Sequence, residues 1–284
     1  MNLKSEIRPH LRAVISFGSL AAGMVCLMQV PKLWEGNLQA VITAANERDP
    51  FAEALRGQMV VIDAGHGGQD SGTSGHGVEE KYSTLDIAKR VESRLKRLGI
   101  STHMTRDSDT YIELEDRSAM TAKLKAAAFI SIHLNASTAA EVAGLETYFC
   151  SQRASGEAAS THARLTHKSS ATVQDQRSEL LASMIQRRVC STTGAADRGT
   201  RDSRLYVVLH SSCPAVLVEC GYLTNVDESR LLKHDAYKEK LAMAVADSVR
   251  QYLLVTAMNP RRGFVLPDSV PAVVTMDTGI TGDP

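Results

Sequence analysis

The sequence lacks several of the signals that assign a protein to a class. Its 284 residues carry 32 basic and 32 acidic side chains, so the net charge does not point to nucleic acid as a partner. No GxGxxG follows a strand-like segment. No CxxC pair occurs, which argues against a thiolate zinc site, a redox motif or a disulfide scaffold. We expect buried thiols, with at most one bridge, at Cys26, Cys150, Cys190, Cys213 and Cys220.

The amino terminus has the pattern of an export segment. Lys4, Arg8 and Arg12 precede an uncharged apolar stretch over residues 13–30. At about 1.5 Å per residue this stretch spans about 27 Å, slightly less than a hydrocarbon core. A cleaved signal peptide and a retained membrane anchor both fit, and a buried helix is a third interpretation. We favour the anchor, because no small-x-small cleavage site follows at once.

Short apolar runs alternate with amphipathic segments from residue 59 onward, which predicts an α/β domain over residues 58–256. Strands are predicted at 59–64, 100–105, 128–134, 144–149, 205–209 and 215–219. Helices are predicted over 83–99, over 116–127, around 181–189 and over 237–254. The polar stretch 151–178 is predicted to be a long loop or a loosely helical insertion. Residues 1–57 form the export segment and a spacer, and residues 257–284 are predicted to be a disordered tail.

Polar side chains stand where three of the predicted strands end. His66 follows "VVIDAG", His133 follows "FISI" and Glu219 follows "AVLV". Because the carboxyl ends of parallel strands border the ligand crevice, we expect these groups to converge. A further ligand can come from "GVEEK" at residues 77–81. Two imidazoles, a carboxylate and an open position make a catalytic zinc site, with a second carboxylate as proton acceptor.

Each of these signals is weak when it is taken alone. A histidine after a buried strand is more often a structural residue than a ligand. The glycine-rich "GHGG" could cradle a phosphate, but it lacks the lysine and the Ser/Thr of a P-loop. Glu219 is more informative, because a carboxylate in an apolar run costs several kcal/mol to desolvate without a partner. The joint occurrence of these residues favours a catalytic site.

The assembled motifs resemble a known enzyme family over residues 58–254. In order, they are "VVIDAGHGGQDSG", "GVEEKYSTLDIAKRV", "TRDSDTYIELEDRSAMTAK", "FISIHLNAS", "GLETYF" and "PAVLVECGYLTN". They are similar to the zinc-dependent N-acetylmuramoyl-L-alanine amidases of bacterial cell-wall turnover. The resemblance implies a single domain with a mixed, mostly parallel sheet flanked by helices. It also implies one zinc ion and hydrolysis of the amide between N-acetylmuramic acid and L-alanine.

The resemblance assigns roles to individual residues. It implies that the zinc ligands are His66, Glu80 and His133, with Glu80 selected as the acidic residue directly before a lysine. It places the general base at Glu219. His76 is a rival ligand, but its glycine neighbours favour a loop residue.

Three further residues are candidates for supporting roles. Asp63 is expected either to orient a ligand histidine or to cap the glycine turn. Arg106 and Arg117 are candidates to bind peptide carboxylates of the substrate, and surface salt bridges are the alternative.

Other functions and partners stay open at this stage. A zinc carboxypeptidase on the same sheet would share the ligands, and an inactive wall-binding protein belongs to a different class. The partners expected are peptidoglycan, an activator protein and, through an uncleaved segment 13–30, the membrane. Nucleic acid is not expected. We expect a monomer in the periplasm or cell envelope. The stretch 151–178 could cover the zinc as a self-inhibitory helix, although an ordinary loop is favoured.

Overall fold

A computed structural model of the chain describes residues 52–151 and 172–258. The segment 13–30, most of the spacer, residues 152–171 and the tail from 259 lie outside this description. Seven helices lie in the described part: α1 Ala52–Leu55, α2 Glu80–Arg97, α3 Leu114–Lys123, α4 Val173–Thr193, α5 Tyr206–Leu209, α6 Val226–Leu232 and α7 Asp235–Met258. The strands there are β1 Met59–Ala64, β2 Ser74–Gly75, β3 Val78–Glu79, β4 Ser101–Met104, β5 Ala128–Asn135, β6 Leu145–Phe149, β7 Asp197–Asp202 and β8 Ala215–Tyr222.

Six strands form one sheet in the order β4-β1-β5-β8-β6-β7. β4, β1, β5 and β8 are parallel to one another, β6 runs antiparallel to β8, and β7 is parallel to β6. This confirms the predicted mixed, mostly parallel sheet. β1, β5 and β8 lie side by side, so their carboxyl ends share one edge of the sheet.

Helices cover both faces of the sheet. On one face, α2 and α7 present buried apolar stripes at helical spacing, with α4 packed beside α7. The stripe of α2 contains Ile87, Val91 and Leu95, and that of α7 contains Leu241, Val245, Val249 and Leu253. On the other face, α3 and α5 cover a smaller cluster around Val61, Phe129 and Leu217. Beyond α5, this second face carries the residues of the candidate site.

Most predicted elements are confirmed, and Gly99 ends α2 with a φ of 76°. The strand predicted at 205–209 is wrong, because these residues form helix α5. Val207 and Val208 are buried on the face of the sheet and take no place in its ladder. A short apolar run does not distinguish a strand from a buried helix. The boundary of the polar stretch also needs correction, since regular helix begins at Val173, before residue 178.

The cysteines and the membrane segment can be assessed for part of the chain. The four cysteines in the described ranges, Cys150, Cys190, Cys213 and Cys220, are buried free thiols. Cys26 lies outside those ranges. Among the residues that the structure describes, no helix has both the length and the apolar character that a membrane span requires. The predicted export segment is not among them.

Helix α4 begins with a reciprocal cap at Thr172. The backbone N of Asp175 donates to Thr172 Oγ1 at 3.2 Å, and the Asp175 carboxylate accepts from the backbone N of Thr172 at 2.9 Å. We therefore expect Thr172→Ala to lower the free energy of unfolding by about 1 kcal/mol, because helix donors lose their acceptor. Chemical denaturation measures this change. Ser191→Ala removes an exposed hydroxyl from the same helix and is the control; an equal loss in both variants would contradict the prediction.

Candidate active site

His66 leaves the end of β1 on a tight turn. Its φ is 61°, in the left-handed region that residues other than glycine seldom adopt. Gly65, directly before it, passes against the ring of His133, and a Cβ at position 65 would lie 2.5 Å from ring atoms. The turn therefore needs glycine at this position and brings the two histidine rings within 4.9 Å of each other, edge to face.

Two buried arginines donate hydrogen bonds to the backbone of this turn. Arg106 donates to the carbonyl oxygens of Ala64 and Gly65 at 2.8 and 2.7 Å. Arg117 donates to the carbonyl oxygens of Ala64 and His66, both at 2.8 Å. The residues are 4% and 2% exposed. The geometry thus favours a positioning role for both arginines over substrate binding, and neither forms a surface salt bridge.

Asp63 neutralises one of these arginines. Its carboxylate accepts from Arg117 Nη1 at 2.9 Å, Thr105 Oγ1 at 2.7 Å and Ser131 Oγ at 2.6 Å. Burial disfavours the charged carboxylate, but Arg117 and these hydroxyls outweigh burial and lower the pKa of Asp63. Asp63 therefore acts on the turn through Arg117, and its hydrogen bonds go to neither histidine.

Glu80 lies between the two histidines at the start of α2. Its Oε1 is 3.0 Å from His66 Nε2 and 3.0 Å from His133 Nδ1. The backbone N of Leu134 donates to Oε1, and that of Thr73 donates to Oε2, both at 2.9 Å. Burial opposes the charged form of Glu80, but these hydrogen bonds and the histidines lower its pKa to about 2. Glu80 is therefore a fixed, ionised carboxylate at neutral pH.

The neighbouring candidates lie elsewhere. Glu79 is exposed. His76 is also exposed, and its Nε2 lies 3.3 Å from the carbonyl oxygen of Thr224. Sequence reasoning missed Asp70, whose Oδ2 lies 2.8 Å from His66 Nδ1. With Nδ1 donating to Asp70, Nε2 of His66 keeps its lone pair for a ligand.

Glu219 lies beside His133 in the sheet. The two residues are register partners on β8 and β5. Glu219 Oε2 is buried and has no hydrogen-bond partner among the described residues. Burial is the main cause that raises the pKa of Glu219 to about 7, and the Glu80 and Glu146 carboxylates add to it. A carboxylate that shuttles a proton near neutral pH needs such an environment.

A cavity of about 270 Å³ adjoins the two histidines. Tyr111 and Ile112 line it from the loop before α3, Leu114 from the first position of α3, and Leu205 and Tyr206 from the start of α5. Leu114 and Tyr206 are exposed at its rim. This combination of an apolar wall and a few polar groups is typical of small-molecule sites.

The donor set fits a metal ion. His66, Glu80 and His133 each offer a ligand atom, and these atoms all lie within 4.8 Å of one another. Two imidazoles and one carboxylate are a catalytic zinc donor set. The buried, unpartnered oxygen of Glu219 lies nearby, as an acid or base beside such a site would.

The chain is similar in sequence to known amidases. The Amidase_3 family profile, described as N-acetylmuramoyl-L-alanine amidase, matches residues 60–251. The N-acetylmuramoyl-L-alanine amidase LytC of Bacillus subtilis (strain 168) is 36% identical over 218 residues. That match covers 76% of this chain and 39% of LytC, so the chain spans well under half the length of that relative.

Solved structures share the fold. The catalytic domain of CwlV, an N-acetylmuramoyl-L-alanine amidase from Bacillus (Paenibacillus) polymyxa var. colistinus, matches with a TM-score of 0.59 and 34% identity. The match covers 69% of this chain and 98% of that domain. The CwlD amidase of Clostridioides difficile, in complex with the GerS lipoprotein, matches with a TM-score of 0.58 and 26% identity, over 70% and 99% of the two chains. The chain therefore belongs to the Amidase_3 family of N-acetylmuramoyl-L-alanine amidases.

Proposed function

We propose that this chain hydrolyses the amide bond between N-acetylmuramic acid and L-alanine in peptidoglycan, with one Zn²⁺ held by His66, Glu80 and His133. The observation that carries the proposal is the His-Glu-His cluster, with Glu80 buried, and the buried Glu219 Oε2 on the neighbouring strand, which has no hydrogen-bond partner among the described residues. Membership of the Amidase_3 family supports the bond that is cleaved. The activity serves remodelling of the cell wall or separation of daughter cells.

Side chains of this protein hold and transfer the protons of the hydrolysis. When bound, Zn²⁺ supplies a Lewis acid for the scissile carbonyl and a lowered pKa for the attacking water. Glu219 accepts the proton of the water at Oε2 and delivers it to the leaving amine of alanine. A cation at the cluster also favours the charged form of Glu219 and lowers its pKa below that of the metal-free chain. Asp70 holds His66 in the tautomer that leaves Nε2 unprotonated.

The family and the sequence outside the site support a location, a domain organisation and a partner for this protein. We place the enzyme in the periplasm or cell envelope as an exported protein, because its family acts on the cell wall. Residues 13–30 provide the anchor or signal, and residues 58–256 form the catalytic domain. The complex of CwlD with the GerS lipoprotein supports an accessory protein as a partner.

Glu219→Gln tests the proton acceptor. The amide cannot accept the proton, so we expect kcat on purified peptidoglycan to fall by about 10²- to 10⁴-fold while zinc content stays at one equivalent. Mass spectrometry of released peptides measures the reaction, and a free L-alanine amine identifies amidase cleavage. Glu79→Gln changes an exposed neighbour of Glu80 and is the control. Normal turnover by Glu219→Gln would refute the assignment, and release of terminal D-alanine instead would indicate a carboxypeptidase.

His133→Ala tests the metal centre. Loss of one imidazole from a three-residue set is expected to leave the protein without stoichiometric zinc, measured by elemental analysis after dialysis. Chelation of the wild-type chain should abolish hydrolysis, and added Zn²⁺ should restore it. His76→Ala removes the exposed rival histidine and should keep one equivalent. Zinc loss in the His76 variant, or full zinc in the His133 variant, would contradict the ligand set.

A further inference from the structure

A row of polar side chains extends from the metal cluster across the sheet. Glu219 on β8 is the register partner of His133 on one side and of Glu146, on β6, on the other. Two residues further along β6, Tyr148 pairs with Arg201 on β7. Arg201 Nε lies 3.4 Å from Glu146 Oε2, so Arg201 projects from the same face as Glu146. The face of the sheet beside the cluster therefore carries an arginine on β7, its last described strand.

One carboxylate serves two guanidinium groups at this edge. Glu146 Oε2 lies 3.4 Å from Arg201 Nε and 3.8 Å from Arg198 Nε. Both distances exceed the 2.7–2.9 Å of a strong charge-assisted hydrogen bond. Glu146 Oε1 already accepts from Asn135 at 2.8 Å and from the hydroxyl groups of Tyr222 and Tyr148 at 2.8 and 3.2 Å. Glu146 Oε2 is thus shared, at long distances, between the two guanidinium groups.

The other carboxylates of β7 are already engaged. Asp197 accepts from the side chain of Gln186 at 2.6 Å and from the backbone N of Gly199 at 2.8 Å. Asp202 accepts from the backbone N and the hydroxyl group of Ser151. The side chain of Arg201 is 51% exposed, and within the described residues its polar contact is with the Glu146 carboxylate. Donors of Arg201 are therefore available to a second anion.

The proposed chemistry indicates which part of the substrate lies over β6 and β7. Glu219 delivers a proton to the leaving nitrogen, so the peptide that leaves must lie beside Glu219. The strands beyond Glu219 are β6 and then β7. Two strand spacings place Arg201 about 10 Å from β8. At about 3.5 Å per extended residue, a peptide that starts at Glu219 reaches the arginine with its second or third residue.

We propose that Arg201, supported by Arg198, binds a carboxylate on the second or third residue of the leaving peptide and so determines a preference for acidic over amidated stem peptides. This inference rests on the proposed amidase function. Arg117 and Arg106 do not compete for this role, because they are buried and bonded to the turn at His66.

The test compares two soluble substrates with the full chain loaded with zinc. Both are N-acetylmuramyl tripeptides; one carries free carboxylates on its second and third residues, and the other carries amides there. We expect the wild type to prefer the acidic substrate by about 10-fold in kcat/KM, the value of one hydrogen bond to a charged group. Arg201→Gln should abolish this preference through a raised KM for the acidic substrate, with a much smaller change in kcat/KM for the amidated one.

Two further variants make the outcome specific. Arg204→Gln removes an exposed arginine just beyond β7 and should keep the preference. Arg201→Lys keeps the charge without the planar guanidinium group and should keep part of the preference for the acidic substrate. Equal kcat/KM values for both substrates in the wild type, or an intact preference in Arg201→Gln, would overturn the proposal. Failure to hydrolyse either tripeptide, with peptidoglycan also left intact, would refute the amidase function itself.

Discussion

Three consecutive carbonyl groups at the end of β1 constrain the whole site. The carbonyl oxygens of Ala64, Gly65 and His66 all accept hydrogen bonds from the buried guanidinium groups of Arg106 and Arg117. A buried carbonyl group without a donor costs about 1–3 kcal/mol, so the arginines, together with Thr84 Oγ1 on the Gly65 carbonyl oxygen, stabilise this turn. The left-handed His66 and the passage of Gly65 against the ring of His133 are both part of that turn.

The same arginines shape the electrostatics beneath the site. Arg117 has Asp63 as a direct counter-charge, whereas Arg106 donates mainly to carbonyl oxygens. Burial, together with the nearby charge of Arg117, lowers the pKa of Arg106. The carboxylates of Asp63, Asp109 and Asp70 act in the opposite direction and favour its positive charge. That charge offsets part of the repulsion among those carboxylates.

Much of this arrangement could be predicted from the sequence because it follows local rules. Burial of the strand at 59–64 and the helical stripe of Ile87, Val91 and Leu95 identify β1 and α2, and the edge shared by β1, β5 and β8 brings His66, His133 and Glu219 together. The support was not predictable, since Arg106 and Arg117 reach back over 41 to 53 residues. Strand β7 was missed because "DRGTRD" has neither apolar alternation nor β-branched enrichment.

The polar sequence of β7 has a consequence beyond the site. Among the described residues β7 is the last strand of the sheet, and an edge strand has backbone groups on one side that a strand of another molecule could pair with. Four charged residues in a strand of six, with Gly199 among them, make such pairing unfavourable. Replacing the arginines of β7 with residues that favour strands would remove the proposed carboxylate site. It would also favour association between copies. Colloidal stability and substrate choice would then be altered by the same substitutions.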